Sequence, residues 1–132
     1  MQSEQEDITM YTMMQVCRQL DMTYQTLKFY CNEGLVPNVI RDSNNRRIFD
    51  ERDVKWIKYL TCLKRCGMSI QEMKEYLELC LQGKSTIISR KEMLAKKQEA
   101  LRIAIKELEE SVAYIDWKQN FYDEVLSGVA NV

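Results

Sequence analysis

The sequence predicts a mostly α protein: a winged helix-turn-helix domain followed by a single long helix of coiled-coil character. Three observations carry this. Two helical patterns flank a break of about three residues near Asp21, helical periodicity lapses between Pro37 and Asp50, and from Leu94 onward apolar residues recur at every seventh position.

The first helix announces itself by a capping box from Thr12 to Gln15, followed by an apolar stripe of Met13, Val16, Cys17 and Leu20 that runs out near Asp21. Thr23 then caps a second helix through Glu33, and Gly34 suits the left-handed position that closes it. From Val39 to Phe49 the pattern reads as a small hairpin, or wing, turning at "RDSNN", where Asn44 and Asn45 tolerate positive φ. Asp50 caps a third helix that runs to about Cys66 and stops at Gly67. Ser69 and Glu72 open a fourth, which reaches about Gln82.

A fifth helix is expected from about Thr86 to Leu126, roughly 60 Å long at the α-helical rise. Leu94, Leu101, Leu108, Ile115 and Tyr122 form one line of its heptads, and Gln98, Ile105, Val112 and Gln119 the complementary line. Such a seam needs a partner. The alternatives are a helix folded back on its own domain and pairing with a second copy, and the strict seven-residue repeat favours the second. Leu94, Leu101, Ile105, Leu108, Val112 and Ile115 are the expected dimerisation residues, while heptads alone leave strand orientation open. The expected division is a tail over 1–9, the winged domain over 10–82, a linker and dimerisation helix over 83–126, and a tail over 127–132.

Composition narrows the function. The chain of 132 residues has no histidine, which removes the commonest general base and transition-metal ligand, so enzyme readings start low. Five cysteines in no framework spacing fit a reducing cytoplasm, and no apolar run is long enough to cross a membrane. The net charge of −1 hides a division: residues 10–69 carry ten Lys/Arg against six Asp/Glu, and residues 70–132 carry nine against eleven. A basic first half is what a polyanion would meet.

In a helix-turn-helix the second helix offers its N-terminal residues to base edges in the major groove. Tyr24, Gln25 and Lys28 share one outward face there, with hydroxyls from Thr23 and Thr26 beside them. Gln25 suits paired hydrogen bonds to adenine, Lys28 a guanine or phosphate, and Tyr24 a thymine methyl or the backbone. Tyr30 is counted among the DNA contacts, although at least one of Phe29 and Tyr30 is expected in the core. Arg41, Arg46 and Arg47 bracket the wing turn and would meet flanking phosphates. The competing reading is a coiled-coil module whose degenerate helix-turn-helix binds protein, for which a basic wing has no use.

Together these pieces resemble the DNA-binding domain of the MerR family of bacterial transcription regulators. The resemblance rests on "YTMMQVCRQLDMTYQTLKFY", "NEGLVP", "NRRIFDERDV" and "LKRCGMSIQEM", and the heptad helix resembles the family's dimerisation helix. It departs where Lys28, Phe29 and Cys31 replace the family's arginine, tyrosine and aspartate, and where Asn45 and Arg46 replace Gly-Tyr before Arg47. The resemblance implies a homodimer on a near-palindromic operator in double-stranded promoter DNA. It implies that the dimer bends and untwists an overlong spacer so that RNA polymerase engages both promoter elements. No cofactor and no membrane partner are implied.

The metal-sensing branch of the family places a cysteine near Cys80 and others further on, but no Cys or His follows Cys80 here, and a metal is not expected. "TCLKRCGMSI" with "LCLQGKSTIISRKEML" is similar to the branch that answers aldehydes and other thiol-reactive electrophiles, in which a cysteine stands at the position of Cys62. Cys62 falls on the face of the third helix opposite Trp56, Ile57, Leu60 and Leu63, with Lys58 and Arg65 one turn either side and Cys66 one turn on. Cys17 and Cys80 lie among apolar neighbours and read as packing residues.

Overall fold

Each of the first four helices starts on a side-chain cap. In the computed structural model, which describes residues 8–131, the order is β1 (Tyr11–Thr12), α1 (Met13–Leu20), α2 (Tyr24–Asn32), β2 (Ile40–Arg41), β3 (Arg47–Phe49), α3 (Glu51–Arg65) and α4 (Ile70–Leu81). A 3-10 turn (Lys84–Thr86) and α5 (Ile87–Leu126) complete it. Of the tail expected over residues 1–9, only Ile8 and Thr9 are among the described residues. Thr12 and Gln15 form a reciprocal box at α1, with bonds of 3.2 and 2.8 Å. The Thr23 hydroxyl accepts from the Thr26 amide at 3.1 Å to begin α2. Asp50 pairs with Asp53 at α3, at 2.9 and 3.0 Å, and Ser69 with Glu72 at α4, at 3.1 and 3.2 Å. These bonds satisfy amides that a helix start otherwise leaves bare.

The stops are equally local and drive the chain into the core. Gly34, at φ 75°, turns α2 so that the Leu35 amide donates to the Tyr30 carbonyl at 3.0 Å and the Leu35 side chain is fully buried. Gly67, at φ 89°, does the same for α3, with Met68 donating to the Leu63 carbonyl at 3.2 Å. A glycine takes this left-handed position without the steric cost a side chain brings. α1 uses Asp21 at φ 50° instead, a residue type that tolerates the region.

Three short strands form one antiparallel sheet in the order β1-β3-β2. Ile48 faces Thr12 on one side and Ile40 on the other, while Phe49 faces Tyr11. Two of these strands are the expected wing; β1 is an addition, since a two-residue strand is too short for its alternation to register in sequence. Around the sheet's end and the helices, Val16, Leu27, Leu35, Phe49, Ile57, Leu60, Met68 and Met73 make the core. The Trp56 indole donates to the Leu35 carbonyl at 2.6 Å, and Lys74 pairs with Glu33 at 2.7 Å.

Two compact units result, one through Arg90 and one from Lys91. Within the first, Arg90 and Thr86 close α4. The Thr86 hydroxyl donates to the carbonyls of Leu79 and Gly83, and the Arg90 guanidinium donates to the Gly83 carbonyl at 2.7 Å and to the Thr86 hydroxyl at 3.1 Å. A cation held just past a helix C-terminus is favourably placed for the helix dipole. In the second unit α5 buries no residue.

The Asp50–Asp53 box sets a pH dependence. Asp53 is 4% exposed, and burial raises its carboxyl above the usual carboxylate range, with the Asp50 amide pulling the other way. A raised folded pKa means that this group favours folding below the unfolded value, and that the contribution is lost as pH rises through the folded value. Asp53→Asn keeps an acceptor for the Asp50 amide and removes the buried charge. Denaturant titration is expected to find the variant as stable as the parent, or more so, at pH 7, with any gain shrinking as the pH falls through the Asp53 titration. Asp53→Ala is expected to cost about 1 kcal/mol. An Asn variant weaker at pH 7 than at acid pH, relative to the parent, contradicts this.

Candidate nucleic-acid interface

The N-terminal face of α2 is presented to solvent because its opposite face is anchored by Leu27 and Tyr30. Tyr24 is 47% exposed, and Gln25 and Lys28 are exposed beside it. Thr23 and Thr26 share a hydroxyl contact of 2.8 Å in addition to the cap bond, so much of their hydrogen-bonding capacity goes into starting the helix. The expectation for Tyr30 needs correcting. Its ring is 4% exposed and burial raises its phenol pKa, so it belongs to the core, while Phe29 stands 45% exposed. The reason lies in tertiary packing: successive helix positions point about 100° apart, and the core lies on the Leu27 side.

The wing is held by its own turn. The Asp42 carboxylate accepts from the amides of Asn44 and Arg46, both at 2.9 Å, and the Asn45 amide donates to the Asp42 carbonyl at 3.0 Å. Asn45, at φ 60°, occupies the left-handed position; Asn44 keeps an ordinary one. The Arg41 guanidinium donates to the Asn45 carbonyl at 2.9 Å and so braces the turn from inside, leaving Arg46 exposed at the tip. Arg47, half-buried, donates from Nη2 to the Asn32 side-chain oxygen at 2.7 Å. A cleft of about 480 Å³ between wing and helix is lined by Tyr24, Arg41, Arg46 and Arg47, together with Met13 and Met14. Three guanidinium groups around a groove beside an exposed helix face suit a sugar-phosphate strand.

The cysteines divide by environment. Cys17 is buried and its thiol pKa is raised by burial. Cys31 is half-buried beneath the wing, where burial raises its thiol pKa and the charges of Arg47 and Arg41 oppose the rise. Cys80 faces Arg90 Nη1 at 3.9 Å. Cys62 alone of the five is exposed, on the outer face of α3, and Cys66 is half-buried one turn on. No group of three or more His, Cys, Asp or Glu side chains among the described residues is arranged to hold a metal ion.

The heptad residues of α5 lie open. Leu94, Leu101, Ile105, Leu108, Val112 and Ile115 are all exposed, Leu108 and Val112 by 66% and 68%. On the same helix Trp117 stacks on Phe121 at a centroid distance of 6.0 Å, with Lys118 over the ring of Phe121 at 5.2 Å.

Residues 11–80 match the MerR HTH family regulatory protein, and residues 54–117 match the MerR DNA-binding family. The chain belongs to the MerR family of HTH transcriptional regulators. An uncharacterised HTH-type transcriptional regulator of Haemophilus influenzae is 32% identical over 114 residues, covering 86% of this chain and 84% of that protein. The HTH-type transcriptional regulator AdhR of Bacillus subtilis is 38% identical over 87 residues, 66% of this chain and 62% of AdhR. Among solved structures, HiNmlR, a MerR family regulator lacking the sensor domain and bound to promoter DNA, superposes with a TM-score of 0.78 at 31% identity, over 90% of each chain. A MerR family regulator from Listeria monocytogenes gives 0.78 at 27% identity, over 89% of each.

Within this MerR fold, sequence reasoning passed over Asn32, Asp42 and Arg90. Asp42 carried a readable signal, an Asp opening an Asn-rich turn. Asn32 acts on a residue 15 positions away that only folding brings near, and Arg90 reaches back seven positions to Gly83 across the junction of α4 and α5.

Proposed function

We propose that this regulator binds a near-palindromic operator in promoter DNA as a homodimer and controls transcription by distorting that DNA. The observation that carries the reading is the exposed Tyr24, Gln25 and Lys28 face of α2 set beside a wing of three arginines. The DNA-bound neighbour at 31% identity supports it. Gln25 is assigned to base reading and Lys28, Arg46 and Arg47 to phosphates or base edges, with Tyr24 at the strand between them. Operator distortion repays its elastic cost, of order 1–6 kcal/mol, through these added contacts and assists RNA polymerase indirectly. This is a binding protein acting in the cytoplasm on DNA rather than an enzyme.

The homodimer rests on α5. Its apolar seam has no cover in one chain, and its charge is segregated: residues 87–106 carry six Lys/Arg and two Asp/Glu, residues 107–126 one and six. Antiparallel pairing lays the basic half of each helix on the acidic half of its partner and sets each heptad line against the other, Leu101 facing Val112 and Ile105 facing Leu108. Parallel pairing would oppose like charges along the whole length.

Cys62 is the proposed sensor of thiol-reactive electrophiles. It is exposed on α3, with Lys58 one turn before it and Arg65 one turn after on the same helix. A thiolate is the form of cysteine that attacks such electrophiles. On an aldehyde the sulfur bonds to the carbonyl carbon and the proton passes to its oxygen.

Two outcomes are expected. When genomic fragments retained by the full chain are selected and titrated, Gln25→Ala changes preference at one position per half-site by about 1–3 kcal/mol, whereas Arg47→Ala weakens all sequences and flattens the salt slope. Uniform losses from both substitutions would remove the assigned roles. In cells, Cys62→Ser is expected to leave operator occupancy intact and abolish the transcriptional response to an added aldehyde; a full response from the serine variant removes the sensing role from Cys62.

A further inference from the structure

Arg47 and Asn32 stand 15 residues apart, on different elements, and yet join at 2.7 Å. Asn32 is the last residue of α2 and Arg47 the first of β3, so the bond links the far end of the recognition helix to the root of the wing. Among the described residues it is the hydrogen bond that crosses between these two elements. We propose that Asn32 is a positioning residue: it fixes the Arg47 guanidinium for a phosphate and locks wing and recognition helix into one clamp, without contacting DNA itself.

The chemistry of the pair sets what it can do. A guanidinium carries five N–H donors in a rigid planar fork, and Asn32 occupies one through Nη2. The remaining donors stay directed by a side chain that can no longer rotate freely, which lowers the ordering cost when a phosphate arrives. The partner oxygen is an amide, not a carboxylate. It orients the guanidinium and leaves its charge uncancelled, whereas an aspartate here would hold the fork equally well and neutralise it. The neighbouring α2 position gives no anion either: Cys31 lies under Arg47 and Arg41, and burial holds its thiol towards the neutral form. Arg41 is tied to the wing turn through the Asn45 carbonyl, which leaves Arg47 as the arginine shared between wing and helix.

This inference rests on the proposed DNA binding. Its test is a double-mutant cycle in the full chain, using the duplex selected from genomic fragments and a random-sequence duplex of equal length. Asn32→Ala is expected to weaken both duplexes about 3- to 10-fold, the range of one modest hydrogen bond, with base preference unchanged. It is expected to have no further effect once Arg47 is alanine. Asn32→Asp is expected to weaken binding at least as much and to reduce the slope of log affinity against log salt by about one, because the Arg47 charge is cancelled in place. Asn32→Gln, which keeps the amide, is expected to recover part of the affinity. Loss of affinity by Asn32→Ala in the Arg47→Ala background, or tighter binding by Asn32→Ala, overturns the inference while DNA binding stands. Failure of the parent chain to bind any duplex overturns both.

Discussion

The burial of Phe49 at the end of the central strand is the constraint on which the proposed DNA-binding surface depends. Phe49 is fully buried, pairs across the sheet with Tyr11, and is followed at once by the Asp50 cap of α3. One residue therefore ties the wing to the core, the lead-in of α1 to the wing, and the start of α3 to both. Truncating a buried phenylalanine costs about 3–5 kcal/mol, a large share of the 5–15 kcal/mol that holds a domain together. The arginines of the wing inherit their position from this anchor. Arg47 stands two residues before Phe49 on the same strand, on the same side of the pleat, and Arg41 is its register partner on β2.

A second constraint acts on the other unit. α5 has 40 residues and buries none of them, leaving exposed a seam made mostly of Leu, Ile and Val. Apolar surface of that extent is costly to leave exposed, and a monomeric protein rarely carries such a patch. The proposed antiparallel dimer removes the cost and gives a reason for the uneven charge along the helix. It also supplies what a near-palindrome requires, two recognition helices related by a two-fold axis. In the proposed dimer the two units therefore act together, one reading half a site and the other supplying the second reader.

Features that depend on neighbours within four or five residues were legible in the sequence. The caps at Thr12, Thr23, Asp50 and Ser69, the stops at Gly34 and Gly67 and the heptads of α5 all lie where local chemistry puts them. The exposure of Tyr24, Gln25, Lys28 and Cys62 was legible for the same reason, since helical period alone separates them from Leu27 and Leu60. Contacts between distant positions were not. The strand Tyr11–Thr12 exists only because β3 offers it an edge, and Tyr30 rather than Phe29 turns inward because of where the core lies. The Asn32–Arg47 and Arg90–Gly83 bonds join residues whose meeting no spacing rule describes.

The number of chains that one operator holds tests the proposed dimer most directly. Native mass spectrometry of the full-length chain, alone and with the selected operator duplex, measures it. A dimer is expected in the free protein and two chains on each full operator, with binding much weakened when the duplex carries a single half-site. A monomeric chain at micromolar concentration that loads one copy per duplex, and binds a half-site as tightly as the whole, would contradict it.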